Sequence, residues 1–402
     1  MYFLIILSLL FIVKASATDL DNSYYSTDVM IKTSKKVYTP TLSVCPVYNN
    51  KDIAFSMRWD DNNKSNFKMQ SLMHKYGFKG TFYINGHYFE FKNACQKGTD
   101  LGAHSMTHPS LGKLNTNRIF WEVAEIKPYI ECRSDKPVNS YCFSYGNYSS
   151  KTNQRVGFDI AEMLQRVGYH HNTYSSFIEK YTEGLDPVSG FKQITPGDKT
   201  PSLERFEKKL NRALVSQNWK RKDPNLSIGV HVWMKTPKAW NNMEEIFKKY
   251  SNRSDWWYCT QTDYAAYRKM FKLARITKAV RNAQQFRYKV ALPYASDIGS
   301  DQPLTLSFNA IADEVLLNGK PVDFKIDGGK TRFEISPPEF ARVPHSISYI
   351  KNEFNSPEPA HADKNALKPW LYIKDFPYLT LKIKNLGSHK ISNVSHTQSG
   401  RF

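Results

Sequence analysis

Apolar side chains recur at every second position from Ile53 through Phe55 and Met57 to Trp59. This alternation predicts a strand over residues 52–59 that ends on the pair Asp60–Asp61. Helical spacing follows over 66–76, then a strand over 80–85 and a polar crossing to 100–102. Ile119, Phe120, Val123, Ile126 and Ile130 mark a helix over 117–130. The alternation continues with a strand over 140–144, a helix over 159–167 and strands over 168–173 and 190–196. A helix over 202–219, with Ser202 as its cap, leads to a strand over 226–234. A helix over 239–250, a strand over 256–260 and a helix over 263–273 close the series. Strands alternating with helices call for a parallel sheet, here curled into an irregular barrel.

The rhythm changes near residue 274. Short strands are expected over 286–292, 304–308, 314–317, 322–326 and 331–335, parted by the turns Asn318–Gly319 and Gly328–Gly329. Such turns join antiparallel neighbours, so a small antiparallel β domain should occupy 276–386, with 378–383 as a further candidate strand. The catalytic unit is then 51–275, residues 387–402 form a tail, and 18–50 serve as a linker or an extra strand on the barrel.

Residues 2–13 are an apolar run too short for a comfortable membrane span, and Ala15–Ser16–Ala17 supplies a small-x-small cleavage site. Residues 1–17 therefore read as a signal peptide of a secreted or periplasmic protein. The run has no preceding Lys or Arg, which leaves an uncleaved anchor as the alternative; no other segment looks transmembrane. The five cysteines, Cys45, Cys95, Cys132, Cys142 and Cys259, allow at most two disulfides and contain no CxxC spacing.

The net charge is +19. A basic exported protein suits an acidic polymer as partner, although a solvated Lys-rich surface explains the same balance. Nucleic acid is discounted, since no binding motif for it is present and export removes the chain from it. The 24 Tyr and 8 Trp residues are ample for flat surfaces against sugar rings, though most such rings belong to a core. Oligomeric state is not legible.

Chemistry concentrates in the run Gly102-Ala103-His104-Ser105-Met106-Thr107-His108-Pro109. Two histidines at i and i+4 lie on one face of a helical turn, where their ring nitrogens can converge on one cation. The Asp60–Asp61 pair at the end of the first barrel strand can complete the set. Taken singly, each residue has an ordinary reading: a turn or cap for the aspartates, a core position for His104, a loop position for His108. The adjacent His170 and His171 would face opposite sides of a strand and form no joint site.

In their order, these residues resemble the polysaccharide deacetylases of carbohydrate esterase family 4. Phe143-Ser144-Tyr145-Gly146 resembles the family's third motif and Gly229-Val230-His231-Val232 its last, so the resemblance spans 51–270. It implies an irregular (β/α) barrel followed by the β domain, which itself resembles β-sandwich appendages of carbohydrate enzymes. It further implies one divalent metal ion, zinc first and cobalt, nickel or manganese as alternatives, held by Asp61, His104 and His108. Asp60 would be the general base, His231 the general acid, and the Tyr145 backbone N–H an oxyanion donor.

The third motif usually opens with an arginine that orients the base and carries proline before the tyrosine; Cys142 and Ser144 stand in those places. Arg58 shares a strand face with Asp60 and is the candidate replacement, a solvent-facing strand end being its plain alternative. The expected activity is a secreted, metal-dependent removal of N- or O-linked acetyl from a polysaccharide. A non-catalytic carbohydrate-binding barrel and a metal hydrolase of a non-sugar amide are the competing readings.

Overall fold

The computed structural model describes residues 24–91, 98–134, 136–150, 155–169, 171–172, 192–216, 224–281, 284–293, 302–337, 368–375 and 378–384. Two strands, β1 (Tyr24–Lys32) and β2 (Leu42–Val44), precede a seven-stranded sheet of β3 (Ile53–Asp60), β4 (Gly80–Ile84), β5 (Thr99–Ala103), β6 (Ser140–Tyr141), β7 (His171–Asn172), β8 (Asn225–Ile228) and β9 (Trp256–Tyr258). Every pairing in this sheet is parallel. Helices α1 (Ser65–Lys75), α2 (Thr116–Ser134), α3 (Val156–Val167), α4 (Leu203–Leu214), α5 (Pro237–Tyr250) and α6 (Gln261–Leu273) alternate with the strands. The result is the α/β barrel architecture expected from the alternation of periods.

The order is β7-β6-β5-β4-β3-β8, with β9 also on β3. Phe55 O and Met57 N–H of β3 bond to Cys259 N–H and Lys79 O, whereas Ala54 and Asp60 N–H bond to Pro224 O and Val230 O. Strands β9 and β4 thus share one edge of β3, and the chain entering and leaving β8 takes the other. All eight residues of β3 are buried, as befits a central strand covered on both faces. Phe55, Met57 and Trp59 join Met69 and Met73 of α1, Val123 and Ile126 of α2 and Phe247 of α5 in one apolar core.

Ser56, Arg58 and Asp60 alternate with those residues and so point to the sheet's other face, which is polar. There the Tyr83 hydroxyl donates to Gln261 Oε1, Gln261 Nε2 donates to Ser227 Oγ at 3.1 Å, and Gln261 N–H reaches Thr81 Oγ1 at 3.2 Å. The first turn of α6 therefore plugs the polar interior. Gly102 has to be glycine, since a Cβ would lie 2.4 Å from the Tyr83 ring and 2.6 Å from Ser140 Oγ.

Strands β10 (Arg275–Arg281), β11 (Gln285–Pro293), β12 (Leu304–Phe308), β13 (Glu314–Leu317), β14 (Lys320–Pro321), β15 (Phe324–Asp327) and β16 (Lys330–Ile335) build two antiparallel sheets, ordered β10-β11-β1-β13-β14 and β15-β16-β12-β2. Inward residues of both sheets, among them Val29, Ile31, Phe286, Leu306 and Phe333, pack into a second core with Tyr264, Tyr267 and Met270 of α6. Residues 24–32 are thus neither linker nor barrel strand, but the centre of an antiparallel sheet. Among the described residues, 378–383 pair in neither of those sheets: β17 (Lys368–Asp375) and β18 (Tyr378–Lys384) pair with each other.

Other boundaries move. The strand expected over 226–234 stops at Ile228, because Gly229 adopts φ +86°. The strand over 140–144 shortens to β6, and within 168–173 the described strand is β7, residues 170 and 173 lying outside the described residues. Within 190–196, Gln193 makes a single bridge to Ser227. Cys45, Cys132, Cys142 and Cys259 are thiols. The expected signal peptide, Cys95, His170 and the expected tail lie outside the described residues, among which no helix is long and apolar enough to cross a membrane.

Candidate active site

Asp60 ends β3 inside the protein, and Asp61 turns away from it at φ +69°. The turn that follows is held by amides. Asn62 Nδ2 donates to Asn85 O at 2.9 Å and His87 O at 2.6 Å, and Asn66 Nδ2 donates to Asp61 O at 2.8 Å. These bonds fix Asp61 in a conformation that non-glycine residues visit rarely, so successive carboxylates point in different directions.

His104 follows β5, and its N–H bonds to Ile84 O at 2.8 Å. No helical turn joins it to His108. Ser105 and His108 instead adopt φ of +63° and +58°, and this bend brings the two Nε2 atoms to 3.1 Å. Asp61 Oδ1 lies 3.2 Å from His108 Nε2 and 3.6 Å from His104 Nε2. His104 Nδ1 is 2.8 Å from Cys142 O; a carbonyl can only accept, so the proton sits on Nδ1 and the Nε2 lone pair faces its two neighbours. Burial lowers the His104 pKa, which keeps the ring neutral and ready to ligate.

One carboxylate oxygen and two imidazole nitrogens thus converge within 4.8 Å of one another, a donor set suited to a divalent transition metal with open positions. Asp60, His104 and Cys142 also meet within that span. There, however, Asp60 already carries a cation. Arg58 Nε donates to Asp60 Oδ1 at 2.8 Å, and Arg58 Nη2 contacts Asp60 Oδ2 as well as Cys142 Sγ, the latter at 2.8 Å. Cys142 Sγ in turn is 3.3 Å from Asp60 Oδ2. Burial alone would raise the Asp60 pKa, but the charge and fork of Arg58, aided by His104 and His231, hold it below the usual carboxylate range. Asp61 is held low in the same sense, burial being outweighed by its bond to His108 and by the neighbouring imidazoles.

His231 arrives beside Asp60 through the bond from Asp60 N–H to Val230 O, at 2.6 Å. Gly229 makes this approach possible: a Cβ there would lie 2.4 Å from the Trp59 ring. His231 Nε2 is 3.7 Å from Asp61 Oδ2, and Nδ1 is 2.9 Å from Asp198 Oδ2. The ring stacks on Trp233, centroids 3.8 Å apart and planes within 7°. Tyr145 adopts φ +56°, is 76% exposed and sets its ring edge-on to His108 at 4.8 Å.

Asp60, Asp61, His104, His108, His231, Tyr145 and Arg58, all nominated from sequence, therefore lie together. Sequence reasoning missed Asp198, which sits in a Pro-Gly-Asp turn with no periodicity to set it apart. It also missed the supporting role of position 144: Ser144 Oγ lies 2.9 Å from Ser105 Oγ and donates to His104 O at 3.2 Å.

Residues 48–159, which contain the aspartate pair and both converging histidines, match the family model described as polysaccharide deacetylase. No curated protein matches the chain. Among solved structures, the chain is similar to a carbohydrate esterase family 4 pseudoenzyme from Bacillus anthracis at 13% identity, covering 54% of this chain and 66% of that one with a TM-score of 0.38. A peptidoglycan deacetylase from Bacillus subtilis aligns at 16% identity over 54% of this chain and 92% of its own, TM-score 0.37. A family 4 carbohydrate esterase from Streptomyces lividans, in complex with acetate, aligns at 13% over 49% and 88%, TM-score 0.34. The likeness to the polysaccharide deacetylase family thus covers residues 48–159, and the antiparallel β domain lies outside the matched segment.

Proposed function

We propose that the protein is a secreted, metal-dependent hydrolase that removes N- or O-linked acetyl groups from a polysaccharide. The observation that carries this reading is the convergence of Asp61, His104 and His108 between an Asp60 held by Arg58 and a His231 held by Asp198. A divalent cation held by that trio, with zinc the best match to its N and O donors, would polarise the acetyl carbonyl and acidify the attacking water.

The remaining work falls to this chain's own groups. Asp60, kept ionised by Arg58, takes the water's proton. His231 carries a proton on Nδ1 toward Asp198 and another on Nε2 toward the site, and the Asp198 carboxylate stabilises that imidazolium. Nε2 then protonates the departing amine or alkoxide. The Tyr145 N–H is assigned to the oxyanion, since the N–H groups of Gly146 and Asn147 turn back to Phe143 O and Ser144 O.

Cys142 in place of a cation favours the second reading, a barrel that binds sugar without turnover. The guanidinium of Arg58 on both Asp60 oxygens weighs against it. Acetate release from a panel of acetylated glycans, with and without chelator, separates the two. The first reading expects release that chelator abolishes and zinc restores. Binding without acetate release on every glycan supports the second. A KM that rises steeply with ionic strength would identify an acidic polymer as the substrate, because exposed Lys and Arg are screened over about 8 Å at physiological salt.

A further inference from the structure

The bend that carries the two histidines is locally unfavourable. Ser105 and His108 both occupy the left-handed region, which side chains other than glycine adopt only at an energetic cost. Such a conformation persists only where its surroundings over-determine it. Three of its tethers come from the strand ends around the site: His104 N–H to Ile84 O at 2.8 Å, Ser105 Oγ to Ser144 Oγ at 2.9 Å, and Gly86 N–H to Met106 O at 2.8 Å. Thr107, the residue directly before His108, is held from another direction. Glu122 of α2 accepts the Thr107 N–H on Oε2 at 2.7 Å and the Thr107 hydroxyl on Oε1.

Glu122 has no solvent exposure. Its charge is met by Arg118 one turn earlier, whose Nη2 lies 2.8 Å from Oε1 and 3.1 Å from Thr107 Oγ1. A carboxylate taken out of water is costly unless paired and fully hydrogen-bonded, and here its two oxygens are committed to Thr107 and Arg118. We propose that Glu122 is a positioning residue for the metal site: it clamps Thr107 and thereby keeps His108 Nε2 in convergence with His104 and Asp61. The proposal rests on the reading of those three residues as metal ligands. Helix α2 is then a buttress of the site as well as a layer of the barrel.

The test is zinc affinity, measured by competition with a chromophoric chelator on the full chain, with thermal unfolding of the metal-free protein alongside. Glu122→Gln removes the carboxylate, while Thr107→Val removes the hydroxyl bond and leaves the Glu122–Arg118 pair in place. Both variants should bind zinc more weakly by about tenfold, the scale of outer-sphere effects on metal sites. The d–d bands of bound cobalt should shift as well, a change that a merely structural role would not produce. If Glu122→Gln does not fold, Thr107→Val decides. Wild-type zinc affinity and cobalt bands in Thr107→Val, on a wild type that binds zinc, overturn the clamp alone. A wild-type chain that binds no zinc overturns the metal reading and the clamp with it.

Discussion

At the level of single residues, Arg58 decides whether Asp60, the proposed base, is ionised. Its guanidinium and the Asp60 carboxylate are both buried, and breaking a buried pair from one side typically costs about 3–5 kcal/mol. The depressed Asp60 pKa adds stability that is present above the unfolded carboxyl value and is lost as pH falls through the folded one. In Arg58→Met burial loses its largest opposing charge, so the Asp60 pKa rises and the acid limb of kcat/KM should move to higher pH, with a lower rate at neutrality. A pH–rate profile with an unmoved acid limb would show that the fork does not govern the base. Asp198 offers a second test. Asp198→Asn can still accept the Nδ1 proton but cannot stabilise an imidazolium, so kcat on a glycan should fall by about tenfold to a hundredfold, within the usual reach of general acid catalysis. Zinc affinity should hold, since Asp198 meets the far nitrogen of the ring from Asp61. An aryl acetate, whose phenolate leaves unaided, should react at the wild-type rate; equal losses on both substrates would remove Asp198 from the acid step. Arg58 was legible because a strand places i−2 and i on one face, whereas Asp198 was not, because a loop meets His231 only after folding.

Elements were legible where one period ran long enough. The alternation of β3 and the helical spacing of α2 give the strand that ends on Asp60 and the helix that supports His108. The same reasoning misjudged the segment between them. A spacing of four suggests a helical turn, yet two left-handed residues and tethers from three directions produce the convergence by another route, and nothing in a periodicity reports positive φ. Gly229 is similar: its neighbours read as one continuous strand, while its conformation ends β8 and swings His231 toward Asp60. Gly229→Ala should combine strain at φ +86° with a Cβ 2.4 Å from Trp59, and overpacking of this sort costs about 1–3 kcal/mol before the strain is added. Thermal unfolding should register that loss, and kcat should fall further than stability because His231 is two residues away. A variant with unchanged midpoint and turnover would mean that the Trp59 ring yields freely.

For the whole molecule, the boundary between barrel and β domain is a shared core. The sequence marks where strand periods shorten near residue 274, since that change is local, but it cannot announce that residues 24–32 cross back to pair with 285–293 and 314–317. Such pairing depends on partners more than 250 positions away, and only the assembled sheet reveals it. Helix α6 belongs to both units: its first turn plugs the polar interior of the barrel through Gln261, while Tyr264, Tyr267 and Met270 lie under the antiparallel sheets. Removing everything after residue 274 would therefore strip the cover from three large side chains of α6 and from Val29 and Ile31 of β1, all buried in the full chain. At roughly 1.5–3 kcal/mol for each large apolar side chain returned to water, the loss rivals the 5–15 kcal/mol that holds an ordinary domain together. The truncated chain should accumulate as insoluble protein, or fold without a cooperative transition, even though every catalytic candidate lies within it. A soluble, cooperatively unfolding 24–274 fragment that binds zinc as tightly as the full chain would show that the sandwich is an appendage the barrel does not need.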